Sequence, residues 1–165
     1  MGLGSALDSA RLRYFLAQEL GVTTENVAAM VIGRHSDDMI PLARYSRVSG
    51  IPVDEILDPE RIQAAFSETR GAGSLIVEMA QRASAYYAPS AVAADLAEAI
   101  HRDSHRMIPV SLMFTGQYGI EGVAMGLPAV IGSDGIQKVI APHLTDEEQQ
   151  KLRESAAFIE RVVGA

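Results

Sequence analysis

Apolar positions recur along this chain with two periods. From Ser5 to Leu20, spacing of about 100° per residue puts Asp8, Arg11, Leu12, Phe15 and Leu16 on one side of a helix, with Gly21 as its stop. Ser5 and Asp8 have capping-box spacing, with Asp in place of the usual Glu. Val27 to Gly33 is a continuous apolar run suited to a buried strand. Met39 to Val48 reads as a second strand, ending in a turn at Ser49-Gly50-Ile51-Pro52. Asp58-Pro59 is a cap followed by proline at the first helical position. It opens a long helix to Arg82, weakened at Gly71-Ala72-Gly73, and Pro89 opens another that runs to Arg102. Arg106 to Thr115 and Gly122 to Ile131 read as strands, the second interrupted by Gly126 and Pro128, and a short strand follows Gly135. Thr145-Asp146-Glu147-Glu148 is a capping box, after which Leu152, Ala156, Ile159 and Val163 mark one face of a last helix. Strands mixed with long helices, without regular βαβ alternation, predict an α+β fold.

A length of 165 residues suits one domain spanning 1–165, large enough for a substantial core. No apolar run approaches the roughly 20 residues that span a bilayer, so no membrane partner is expected. Met1-Gly2-Leu3-Gly4-Ser5 lacks the basic and apolar regions of a secretory signal. There is no cysteine, which excludes disulfides and thiolate chemistry and makes a reducing cytoplasm the default. A net charge of -7 without a basic cluster argues against a nucleic-acid partner.

Two features carry candidate chemistry. Asp8 and Arg11 fall within the apolar face of the first helix, where unpaired burial is costly. They pair with each other as a plain helix ion pair, or with something across a cleft. His35 ends the apolar run Val27 to Arg34, where a strand gives way to a loop. It suits acid/base work near neutral pH, or else serves as a hydrogen-bonded structural histidine. His35-Ser36-Asp37 offers only two ligand types, so no metal is assigned. His101, His105 and His143 lie in polar surroundings and read as exposed. Ser84-Ala85-Tyr86-Tyr87-Ala88-Pro89 either lines a small pocket or is a tight helix junction packed by its tyrosines. Gly2-Leu3-Gly4 and Gly71-Ala72-Gly73 begin like a dinucleotide fingerprint, but neither has the third glycine or follows a strand. They read as a flexible helix entry and a bend.

Leu7-Asp8-Ser9-Ala10-Arg11, Gly33-x-His35-x-Asp37, Ser84-Ala85-Tyr86-Tyr87-Ala88-Pro89 and Leu112-x-x-Thr115-Gly116-Gln117-Tyr118-Gly119 occur in that order. Together they resemble the carboxy-terminal, substrate-binding half of the lactate/malate dehydrogenase family, in its lactate-dehydrogenase-like malate dehydrogenase branch. The resemblance runs from Leu3 to the last helix. It implies largely antiparallel strands packed with long helices. It implies His35 as proton donor and acceptor and Asp8 as the carboxylate holding its ring, the two forming the catalytic pair. Arg11 would grip the substrate carboxylate in a two-pronged contact, and Ala85 would line the substrate pocket. Ser36 stands where close relatives often carry glycine. In the family, hydride passes between the 2-hydroxy acid and NAD while a loop of the other half closes.

The amino-terminal dinucleotide-binding domain lies outside this sequence. The resemblance therefore implies the substrate-binding half of an NAD-dependent malate dehydrogenase. Such a half is inactive as an isolated chain and expected to hold no cofactor tightly alone. Its partners would be malate or oxaloacetate, the missing nucleotide-binding domain, and further copies in a dimer or tetramer. The alternative is a non-catalytic oligomerisation scaffold derived from that domain.

Overall fold

The computed structural model describes residues 1–81 and 86–164. Helix α1 (Gly4–Leu20) leads into four short strands, β1 (Val27–Ala28), β2 (Val31–Ile32), β3 (Ile40–Pro41) and β4 (Arg47–Val48), then β5 (Ile51–Pro52). Helices α2 (Pro59–Ala80) and α3 (Tyr87–His101) follow. The chain ends with β6 (Arg106–Thr115), β7 (Glu121–Gly132), β8 (Gly135–Val139) and α4 (Asp146–Val163). Every strand pairing is antiparallel, in sheets ordered β6-β7-β8, β1-β4-β5 and β2-β3, so the fold is α+β.

The buried side chains form two hydrophobic cores. In β6, Val110, Leu112 and Phe114 turn inward while Ser111 and Met113 do not, the period-2 pattern of a sheet with one covered face. They join Met125, Leu127 and Ile131 of β7, Ile32 and Ile40, and Leu152 and Ala156 of α4. The second core collects Leu12 and Leu16 of α1, Val31, Val53, and Ile62 and Phe66 of α2. Full burial of each leucine contributes about 1.5–3 kcal/mol, which makes α1 a rigid base for its polar residues.

Several sequence expectations change. The run Val27–Gly33 is not one strand. Val27 and Ala28 pair with β4, whereas Val31 and Ile32 pair with β3. Met30 between them donates its N–H to Ser46 Oγ and accepts from Leu42 N–H. Met39–Val48 is likewise divided, by a 3₁₀ turn at Ala43–Tyr45. The Ser5/Asp8 capping box does not form, because both side chains are buried and turned to partners across the fold. Gly71 and Gly73 do not bend α2 apart, and α3 begins at Tyr87, ahead of Pro89. Gly126 and Pro128 lie within a continuous pairing of residues 124–131 of β7 with β6. Pro128 stands opposite Pro109, pairing two residues that both lack an N–H. Gly126 is there for space, since a Cβ would lie 1.7 Å from Ser5 Oγ. The capping box at Thr145 forms as read, but the buried face of α4 stops short of Val163, which is 73% exposed.

Candidate active site

The site forms where α1, the loop after β2 and α2 meet. Gly33 adopts a left-handed φ of 87° and exchanges backbone hydrogen bonds with Gly126 at 3.0 and 2.8 Å. That pair turns the chain out of β2 and aims the loop over the start of α1. Gly4 permits the close approach, because a Cβ there would lie 2.6 Å from His35 Cβ. The sequence reading of Gly4 as flexible helix entry is thus corrected: its missing side chain makes room for a histidine.

His35 Nδ1 lies 2.8 Å from Asp8 Oδ2. Asp8 is fully buried, and the His35 side chain is about half exposed. A carboxylate only accepts, so Nδ1 carries the hydrogen and Nε2 is left free of Asp8 to exchange a proton. The hydrogen bond to Asp8, aided by its charge, holds the His35 pKa above its ordinary value of 6.5, against partial burial and the repulsion of Arg11. One helical turn along, Arg11 Nη1 stands 3.6 Å from Asp8 Oδ1, an ion pair without a hydrogen bond. Among the described residues, Asp8 Oδ1 and Arg11 Nε are buried and lack hydrogen-bond partners. Asp8 thus sits between the Arg11 guanidinium and the His35 ring, and among the described residues Arg11 keeps donor capacity that the fold does not use.

Arg11 and His35 open together on a cleft of about 460 Å³, also lined by Met39, Arg70, Gly73 and Glu78. Gly73 gives the Arg11 guanidinium room, since a Cβ would stand 3.2 Å from Nη1. Sequence reasoning missed Arg70 and Gly73. Their i, i+3 spacing on α2, one helical face, was the available signal. A larger, mostly apolar groove of about 1530 Å³ also touches Arg11 and runs along Tyr14, Phe15, Leu75, Ile76 and Pro109.

The structure brings His35, Asp8 and Arg11 together, as the ordered motifs require. Ala85 lies outside the described residues. Tyr86 and Tyr87 are 52% and 92% exposed, and the rest of the junction, with Ser84, lies outside the described residues. His101, His105 and His143 are exposed. Among the described residues, no group of three or more His, Cys, Asp or Glu side chains could hold a metal.

Residues 5–163 match the lactate/malate dehydrogenase, alpha/beta C-terminal domain. The chain belongs to this family. A malate dehydrogenase from Halalkalibacterium halodurans is 43% identical over 165 residues, covering all of this chain and 52% of that protein. The structure of malate dehydrogenase from Aeropyrum pernix superposes with a TM-score of 0.92 at 39% identity, over 97% of this chain and 53% of that one. Lactate dehydrogenase from Eimeria maxima, solved with NADH and oxamate, superposes with a TM-score of 0.92 at 36% identity, over 97% and 50%. The chain spans about half the length of the curated relatives it matches. Its glycine pairs do not build a dinucleotide cradle. Gly2 is bridged to Ser111, Gly4 faces His35, and Gly71 and Gly73 lie inside α2. Neither pair therefore forms a glycine-rich cradle for a pyrophosphate.

Proposed function

We propose that this chain is the substrate-binding half of an NAD-dependent malate dehydrogenase and supplies the proton-transfer side of malate/oxaloacetate interconversion. The buried Asp8 carboxylate, 2.8 Å from His35 Nδ1 with Arg11 beside it, carries this reading. His35 Nε2 would take the hydroxyl proton of malate and return it to the carbonyl oxygen of oxaloacetate. Asp8 fixes the ring's tautomer and stabilises its charged form. Arg11 would hold a substrate carboxylate through the donors that the fold leaves unused. Ala85 would line the same pocket. The hydride belongs to NAD, bound by a nucleotide-binding half from outside these residues.

Complementation tests this. The isolated chain should show no oxaloacetate-dependent NADH oxidation, and adding the nucleotide-binding half of a relative should produce turnover. His35→Asn should abolish that turnover. Turnover by the chain alone, or none at high concentrations of both halves, would count against the reading.

The apolar groove beside α1 favours a second reading, a non-catalytic assembly scaffold, because Leu75 and Ile76 are 55% and 40% exposed in it. Light scattering over a concentration series separates the two. A dimer or tetramer that survives Arg11→Ala, with no turnover on complementation, would favour the scaffold.

A further inference from the structure

The loop that carries His35 has little backbone pairing of its own. Between the end of β2 at Ile32 and the start of β3 at Ile40, Gly33 bonds to Gly126, and two tight local bonds join Ser36 N to Arg34 O and Met39 N to Ser36 O. Met39 at its end is buried in the second core, and one side chain, Asp38, ties the loop to the last helix. Asp38 accepts from Arg34 Nε at 3.0 and 3.2 Å, from Ser36 Oγ, and from Ser155 Oγ of α4 at 2.5 Å. Ser155 is buried, at 2% exposure. Arg34 also lies over the Phe158 ring of α4, 4.0 Å from its centroid. The loop is therefore fastened to the last helix twice, through a carboxylate–hydroxyl bond and a guanidinium–ring contact.

We propose that Asp38 is a positioning residue for His35: with Arg34, Ser155 and Phe158 it clamps the histidine loop to α4, so that the imidazole meets Asp8 at hydrogen-bonding distance. This rests on the acid/base reading of His35 for its functional meaning. The ring is held from α1 by Asp8, and the loop that carries it is tied to α4 through Asp38 and Arg34. Both are needed, because a half-exposed histidine on a sparsely paired loop otherwise spends part of its time away from its partner. Burial would push the Asp38 carboxyl up, but the bonds from Ser155, Ser36 and Arg34 outweigh it and hold the group below its ordinary value. Asp38 thus stays an ionised acceptor wherever His35 titrates.

The test reads the His35 pKa by NMR of its ring resonances in this chain. The charged groups around His35 are Asp8 and Arg11 on α1, Arg34, Asp37 and Asp38 on its own loop, and Arg70 and Glu78 across the cleft. Removing any of them would shift the pKa directly, so the variants are neutral. Ser155→Ala and Phe158→Ala loosen the clamp from α4 without touching a charge. Each should lower the His35 pKa measurably toward 6.5 as the Asp8 bond lengthens. Phe158 is 40% exposed, so its removal leaves the chain folded if the buried Ser155 variant does not. Thr145→Ala weakens the same helix at its far end and should leave the pKa in place. An unchanged pKa in folded Phe158→Ala, or an equal drop in Thr145→Ala, overturns the clamp. Complementation is a separate readout: its failure strikes at the dehydrogenase reading, whereas the pKa result judges the clamp alone.

Discussion

Helices α1 and α4 start from the same local pattern and use it oppositely. Ser5 and Asp8 stand three apart, as do Thr145 and Glu148. In α4 the pattern closes on itself: Glu148 N donates to Thr145 Oγ1, and Thr145 N donates to Glu148 Oε2. In α1 the N-cap is Leu3, without a side-chain bond, and both polar residues point away from the helix start. Ser5 Oγ reaches Gly33 O at 3.5 Å, and Asp8 takes His35. A carboxylate that forgoes a nearby cap for a histidine 27 residues away is being used for something other than helix stability.

The sharpest way to break the contrast is Asp8→Asn. The change leaves Arg11 without its buried counter-charge and gives His35 a neutral amide in place of a charged acceptor. Urea unfolding should show a loss of about 3 kcal/mol, and turnover of the complemented enzyme should fall at least about a hundredfold. A variant as stable and active as the parent would reduce Asp8 to an idle helix residue. Next comes Gly4→Ala. Its Cβ would meet His35 Cβ at 2.6 Å, so the histidine or the helix start must move, at a cost of about 1–3 kcal/mol. A gain in stability, as expected of alanine at an unconstrained helix position, would show that the close contact is not rigid.

A smaller effect separates the two caps. Thr145→Ala removes a working cap and should lower stability by about 1 kcal/mol. Ser5→Ala removes no cap and only a long hydrogen bond, so its urea midpoint should move by less than half as much. Equal losses would mean that the first helix relies on Ser5 after all.

The same contrast marks what could be read from sequence. The α4 cap was legible because both partners lie within one turn. Arg106–Thr115 was legible as a strand from its apolar run, while the face it covers was not. Val27–Gly33 was misread as one strand because its two halves pair with different partners, and apolar character does not name a partner. The Asp8–His35–Arg11 cluster was legible as ordered motifs, while its geometry was not. The role of Gly4 was hidden, since nothing about a glycine says which distant side chain occupies its empty space. Asp38 was hidden for a related reason: its decisive partner, Ser155, is 117 residues away.

The smallest effect is one of pH, and it gives the two helices opposite signs. The His35 pKa is raised above 6.5 by its bond to Asp8. The folded state binds that proton more tightly than the unfolded chain, so this contact stabilises fully below about 6.5 and is lost as pH rises through the folded value. Burial would raise the Glu148 carboxyl, but bonds from Arg44 and the Thr145 cap hold it below 4.5. Its contribution is present above 4.5 and is lost as pH falls through the lowered value. The urea midpoint should therefore decline on the alkaline side through α1 and on the acid side through α4, where Asp38 adds to the loss. His35→Asn should flatten the alkaline limb alone, and Glu148→Gln should flatten part of the acid limb alone. If His35→Asn leaves the alkaline limb as steep as before, the Asp8–His35 bond is not what the fold gains from that histidine.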